Sequence, residues 1–200
     1  MYPFIRKICK LLSVFCPTPD PISTPCAVST ATFSNLSPIV LPSEGPAIPY
    51  PSSIHVTGLS GEVTQVTVTL IGLTHIFPDD VDILLVGPQG QSVILMADAG
   101  GGFEVNSVIL NFNDYAQTLL PDESQIVSGT FQPTNYLGID PILIDTFPSP
   151  APPPPYGSTL SVFNGIDPNG VWNLFVFDDF VVFEGSIIGW TLNITTTFCS

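Results

Sequence analysis

The chain has 200 residues, of which 44% are hydrophobic, and this suits a single domain able to bury its own core; its formal charge is −14. The cations are Arg6, Lys7 and Lys10 alone, and all 17 acidic residues lie beyond residue 10, which excludes nucleic acid and anionic membranes as partners, because phosphate binding needs cations. The longest apolar runs, residues 83–86 and 180–183, exclude a membrane-spanning helix, which takes roughly 20 residues.

Arg6, Lys7 and Lys10 precede Leu11-Leu12-Ser13-Val14-Phe15-Cys16, which is the order of a signal peptide. The apolar run is short, at about six residues against the usual 7–15, and no small-x-small cleavage site follows it. Residues 1–30 are therefore expected to be an export-like segment with a linker, marked by Pro17, Pro19, Pro21 and Pro25, and residues 31–200 the domain. The expected location is secreted or cell-surface.

From residue 30 onward the texture is that of short β-rich runs separated by turn residues. Residues 53–59 put Ile54 and Val56 on one face. Residues 63–73 alternate Val66, Val68 and Leu70 with Thr67 and Thr69, the period of a half-buried strand. Residues 82–86 are apolar on both faces and stop at Gly87-Pro88, as a central strand would. The turn Pro88-Gln89-Gly90 then makes a hairpin with residues 92–97, since Pro fixes φ and Gly permits a positive one. Residues 107–112 follow Gly100-Gly101-Gly102. Residues 159–163, 172–177 and 186–195 complete the set, the last with Ile188, Trp190, Leu192 and Ile194 sharing a face.

Between them, residues 113–157 hold Pro121, Pro133, Pro141 and Pro148, then Ala151-Pro152-Pro153-Pro154-Pro155-Tyr156. This reads as an extended, partly polyproline II connection, packed on the sandwich as a belt or offered as a ligand to an SH3-like partner. With no helical period and a dominance of Val, Ile, Thr and Phe, the fold class is all-β, a sandwich or jelly roll.

The cysteines are Cys9, Cys16, Cys26 and Cys199, with no CxxC and no paired histidine, so zinc and thioredoxin chemistry lack support. Cys26 stands before the first expected strand and Cys199 after the last. A Cys26–Cys199 bridge is one reading, and buried free thiols are the other.

Two segments are specific: THIFPDDVDILLVGPQG, residues 74–90, and NGIDPNGVWNLFVFDD, residues 164–179, followed by EGSIIGWTLNIT. Together they resemble the P domain (P/Homo B domain) of proprotein convertases, a jelly roll of the galactose-binding-like type. His75, Phe77, Asp80, Val81, Leu85, Pro88 and Gly90 fall on the first family motif. Asn169, Gly170, Trp172, Leu174, Val176, Asp178, Gly185, Trp190 and Leu192 fall on the second. Ile76, Asp79, Gly87 and Val171 depart from it, Asp79 adding a carboxylate beside Asp80. The resemblance covers residues 50–196 and implies a non-catalytic module that accompanies a subtilisin-like protease.

No triad is legible. The only histidines are His55 and His75, and no Gly-x-Ser-x-Gly elbow exists. His75 is expected to bond loop backbone, and Trp172 and Trp190, expected on neighbouring strands, to plug the core. The 12 Asp residues make a glycosidase pair by chance alone, so that signal is weak.

A cation is better supported. Asp79, Asp80 and Asp82 open one strand, and Asp178 and Asp179 close another. If those strands are antiparallel neighbours the clusters meet, with Asp98 and Asn113-Asp114 as further candidates. Ca²⁺, taking roughly 6–8 oxygens, suits such a set. Strand parity would point Asp80 and Asp82 one way and Asp79 the other. Solvated loop acids that cap turns, or solubility through charge, are the plain alternatives. The expected partner is a protein or a cell-surface glycan. Two readings rival the accessory module: a lectin-like carbohydrate-binding module, and a detached regulatory domain of a serine endopeptidase.

Overall fold

The computed structural model describes residues 26–136 and 145–199. The export-like segment with Cys9 and Cys16, and Pro141 of the connection, lie outside the described residues. In chain order the strands are β1 (Cys26–Asn35), β2 (Ile39–Leu41), β3 (Gly45–Pro46), β4 (Ser52–Val56), β5 (Glu62–His75), β6 (Val81–Val86), β7 (Ser92–Ala97), β8 (Val105–Phe112), β9 (Gly129–Phe131), β10 (Thr134–Asn135), β11 (Gly170–Asp178), β12 (Gly185–Ile187) and β13 (Gly189–Cys199). Two short 3-10 helices, Pro78–Asp80 and Leu160–Phe163, interrupt them. The architecture is an all-β sandwich of two sheets.

β5 is the spine of the first sheet. It pairs with β13 from Ile71↔Gly189 to Glu62↔Thr197 and with β8 along its other edge. β1 lies antiparallel to β13 over its whole length, from Asn35↔Trp190 to Cys26↔Cys199. A disulfide joins Cys26 to Cys199 at the far end of that pair. Both cysteines stand inside terminal strands rather than beyond them. The second sheet centres on β11, with β6 on one edge and β4 and β3 on the other; β7 and then β10 continue beyond β6.

Period-2 alternation in β4, β5 and β13 sends one set of residues inward. Ile54, Val56, Val66, Val68, Leu70, Leu192 and Ile194 meet Ile83, Leu85, Leu95, Leu174 and Val176 between the sheets. Trp172 and Trp190 are both fully buried there. They belong to β11 and β13, so they stand on facing sheets rather than on neighbouring strands. Each indole N–H has a partner, Pro168 O at 2.9 Å and Ser52 Oγ at 3.0 Å, as burial of Trp requires.

β6 and β7 are buried on both faces. Their second face carries Leu84, Val86 and Ile94, which join Phe175 and, from the proline-rich connection, Phe147 in a separate core. That connection is an ordered belt. Phe147 meets Tyr156 edge to face at 5.6 Å, and Tyr50 Oη donates to Pro148 O at 3.0 Å. Gly157 N–H donates to Ser92 O at 2.8 Å, closing the belt onto β7.

β1 is a run of small and hydroxylated residues with little apolar period, and it forms because β13 supplies a full-length partner. Three sequence expectations are corrected. Residues 159–163 are not a strand. Leu160 and Phe163, three apart, both reach the core from a 3-10 turn whose N–H groups at Leu160 and Ser161 donate to the Asp114 carboxylate at 2.8 Å each. Asp114 is thereby occupied as a cap. The final strand is broken at Ile188, which is exposed while Trp190, Leu192 and Ile194 are buried; its side chain lies over Gly72, where a Cβ would meet Ile188 Cδ1 at 2.5 Å. Lastly, Asp79 and Asp80 sit in a 3-10 helix, so strand parity does not govern them.

Candidate functional site at the acidic end

β6 and β11 are antiparallel neighbours, with Val81 opposite Asp178 and Asp82 opposite Phe177. The entry of one and the exit of the other therefore meet at one end of the second sheet. Asp179 N–H donates to Asp80 O at 3.0 Å, tying the two loops. Asp79, Asp80, Asp82, Asp178 and Asp179 are brought to this end together, and Asp98 joins from the end of β7.

His75 closes β5 and is fully buried. Its Nε2 donates to Asp178 Oδ2 at 3.0 Å and its Nδ1 stands 2.7 Å from Phe77 O. Nδ1 also accepts from Phe77 N–H at 3.2 Å. Asp178 Oδ1 also accepts from Phe180 N–H at 3.2 Å. Because β5 lies in the first sheet and β11 in the second, this pair is a strut between sheets. Its atoms are fully committed and no hydroxyl stands on either ring nitrogen.

The remaining carboxylates are crowded, and each is pushed upward from its usual range. Burial raises Asp80 to about 6, helped by the charges of Asp178 and Asp179 and opposed by His75. Burial, then the charges of Asp145, Asp79, Asp179 and Asp122, raise Asp98 to about 7. Asp82 is raised well above the ordinary carboxylate value by burial first, then by Asp145, Asp179, Asp98 and Asp79. Burial likewise raises Asp179, with Asp178 adding to it, and raises Asp79, with Glu123 adding and a Gly101 backbone hydrogen bond opposing. Burial raises Asp178 too, against the hydrogen bonds from Phe180 and His75. The cause is common: carboxylates share a partly desolvated end, and no Lys or Arg occurs after residue 10.

Two groups of this end are absent from the sequence reading. Asp145, in the belt, accepts from Asn135 Nδ2 at 2.7 Å and shares a hydrogen bond with Asp98. Glu123 approaches through the loop below Gly101, where a Cβ would meet Glu123 Oε2 at 2.7 Å. No local pattern marks either, since both arrive from the long connection. Among the described residues no three acidic, His or Cys groups already stand in metal-holding arrangement.

The remaining motif residues are placed as follows. Gly90 has φ +90° and its N–H donates to Gly87 O at 3.1 Å, closing the turn that Pro88 begins. Gly170 has φ +133°, and a Cβ there would meet Pro88 Cβ at 2.7 Å. Both are structural positions remote from the acidic end. His55 is exposed on β4. Among the described residues no helix is long and apolar enough to cross a membrane.

No protein-family model matches the chain, and no curated protein matches it. Among solved structures the chain is similar to the crystal structure of the Aeromonas sobria serine protease in complex with the chaperone ORF2, with a TM-score of 0.40 and 13% identity over 96% of this chain. The crystal structure of the Aeromonas sobria serine protease gives a TM-score of 0.39 and 14% identity over 96% of this chain. In each case this chain spans 30% of the matched chain's length.

Proposed function

We propose that this chain is a non-catalytic accessory module of the P-domain type, a jelly roll of the galactose-binding-like class that acts outside the cytoplasm on a separate protein, foremost a subtilisin-like protease. The observation that carries the reading is the use made of the motif histidine. His75 is sealed between Phe77 O and Asp178, so the residue best suited to general-base work spends both ring nitrogens on bracing two sheets. The motif tryptophans are likewise spent on the core. The Cys26–Cys199 bridge supports an oxidising compartment.

The interaction surface is the loop from Asp179 to Glu184. Phe180 is 61% exposed and Val182 68% exposed, and Ile76 and Phe103 are exposed nearby. Phe77 stacks on Phe183 at 6.5 Å beneath them. An apolar tip rimmed by acids suits a partner with an apolar spot among basic groups. The test mixes the purified chain with the subtilisin-like protease of the same organism and follows complex formation and the protease's Tm. Binding that Phe180→Asp abolishes supports the reading. No binding, together with labelling of this chain by a serine-reactive phosphonate, sinks it.

A lectin reading draws on one feature, a shallow recess lined by Gln65, Asn113, Asp114, Tyr115, Ser161 and Asn164 with Tyr115 exposed. Asp114 is already engaged there by Leu160 and Ser161, which leaves few polar groups for a sugar. A glycan array with Tyr115→Ala as control separates the two readings.

A further inference from the structure

β1 is the outermost strand of the first sheet: it pairs with β13, and among the described residues no strand lies on its other edge. It is 10 residues long, whereas the other outermost strands, β2, β3, β4, β9 and β10, have between 2 and 5. An open row of N–H and C=O groups templates another strand, so sheet edges are ordinarily guarded by short strands, Pro, charged side chains or bulges. CAVSTATFSN holds no Pro and no charged residue, and its register against β13 runs without a shift from Cys26 to Asn35. β13 behind it is free of charge as well. The Cα atoms of Cys26 and Cys199, directly opposite one another, are 4.1 Å apart. That is the close spacing of an antiparallel pair that exchanges no backbone hydrogen bonds, roughly 4.5 Å against 5.5 Å for a bonded pair. Alternation places Val28, Thr30, Thr32 and Ser34 in the same class, so their N–H and C=O groups turn away from β13 to the open edge. All four residues are exposed, Val28 at 69%.

We infer that β1 is a dimerisation edge, where a second copy of this chain adds its own β1 antiparallel across a twofold axis at Ala31. Antiparallel exchange joins residues that both turn their backbone to the edge. A twofold at Ala31 sets Thr30 opposite Thr32 of the second copy and Val28 opposite Ser34, so all four open residues of each copy are used. Ala31 meets its own counterpart at a close, non-bonded position, where a small side chain fits. On the inner face Ser29 stands opposite Phe33, small against large. The outer face extends a ladder already present within one chain, where Thr30 bonds Thr195 and Thr32 bonds Asn193. Charge selects the occupant. Two copies of formal charge −14 repel over distance, and this edge brings no carboxylate against another. A basic partner would find no acid along it to pair with. An isologous contact closes after two copies and leaves no further length of β1 open. The inference does not rest on the protease reading.

The test is sedimentation equilibrium of the full chain over a concentration series, at low and at high NaCl, with amide hydrogen exchange followed in parallel. The expected mass is that of a dimer, and dimerisation is expected to tighten at least tenfold at high salt, because screening weakens the repulsion between copies. The amides of Val28, Thr30, Thr32 and Ser34 are expected to gain protection as concentration rises. Thr30→Pro removes an edge N–H that β13 does not use, and is expected to abolish the dimer while the monomer stays folded. Should Thr30→Pro fold poorly, two double variants on the solvent face carry the test. Thr30→Glu with Thr32→Glu is expected to be monomeric, and so is Thr30→Lys with Thr32→Lys, since like charges opposite one another destabilise a strand pair. Mixing the two is expected to restore a one-to-one dimer, because the twofold sets Thr30 opposite Thr32. A chain that is monomeric at every concentration and salt, a dimer that persists in the double glutamate variant, or double variants that do not pair on mixing overturns the inference.

Discussion

The two sheets present opposite outer faces. On the first, Thr30 bonds Thr195, Thr32 bonds Asn193, Asn193 Nδ2 donates to Thr67 Oγ1 at 3.3 Å and Asn111 Nδ2 to Thr69 Oγ1 at 2.8 Å, all on the solvent side. On the second, β6 and β7 have no open face at all: Phe147, Ala151 and Tyr156 of the belt lie over Leu84, Val86 and Ile94. The same strand geometry therefore gives an amphipathic sheet where water is the neighbour and an apolar one where chain is. The lesson is that outward side chains report what covers a sheet, not how it is paired. Asp82 is the exception on the covered face, and burial with the neighbouring carboxylates raises it well above the usual carboxylate range.

Removing the cover should hurt most. Phe147→Ala is expected to cost about 3–5 kcal/mol, as for other buried aromatics, read as a lower urea midpoint; a loss below about 1 kcal/mol would mean that the belt is not a core. His75→Ala leaves Asp178 buried and unpaired between the sheets, and about 3–5 kcal/mol is expected from such a break. The same urea midpoint reads this loss.

Replacing Cys26 and Cys199 together by Ala opens the loop of sequence separation 173, with an expected cost of about 2–5 kcal/mol. The same double variant compared with wild type under reducing conditions should then show no difference.

A pH series sharpens the contrast further. Asp98 at about 7 and Asp80 at about 6 lie above the unfolded value of 3.8. Asp98 faces Asp145, Asp79, Asp179 and Asp122, and Asp80 faces Asp178, Asp179, His75 and Asp79. The folded chain thus holds protons that the unfolded chain has released. Stability contributed by these groups is complete below about pH 4 and is lost as pH rises through about 7. The protein should show a lower urea midpoint at pH 7.5 than at pH 5. The smallest effect belongs to the open face: Thr30→Ala, which loses one exposed hydroxyl contact with Thr195, is expected to change stability by no more than about 0.5 kcal/mol.

Much of the sandwich was legible because its signal is local. The alternation of Val66, Val68 and Leu70 with threonines marks β5, and the doubly apolar residues 82–86 mark a covered strand without saying what covers it. Pro88 and Gly90 specify their own turn. β1 was not legible, since CAVSTATFSN has little apolar period and acquires its structure from β13. The helix at Leu160 was misread as a strand because four apolar or small residues fit either state, and the deciding group, Asp114, is 46 residues away. At the acidic end the sequence picked out Asp79, Asp80, Asp82, Asp98, Asp178 and Asp179 from their positions at strand ends. It picked out neither Asp145 nor the pairing of Asp178 with His75, because neither a belt's path nor a histidine's partner has a local signature.

Composition and periodicity were sufficient for the all-β class and the concentration of negative charge, since each depends on residues within a few positions of one another. Tertiary structure alone decided that His75 pairs with Asp178, that Trp172 and Trp190 face each other's sheets, and that Asp145 joins Asp98. Those pairings join segments tens of residues apart, and chain closure over such distances is set by the packing of whole sheets rather than by the preference of any short stretch.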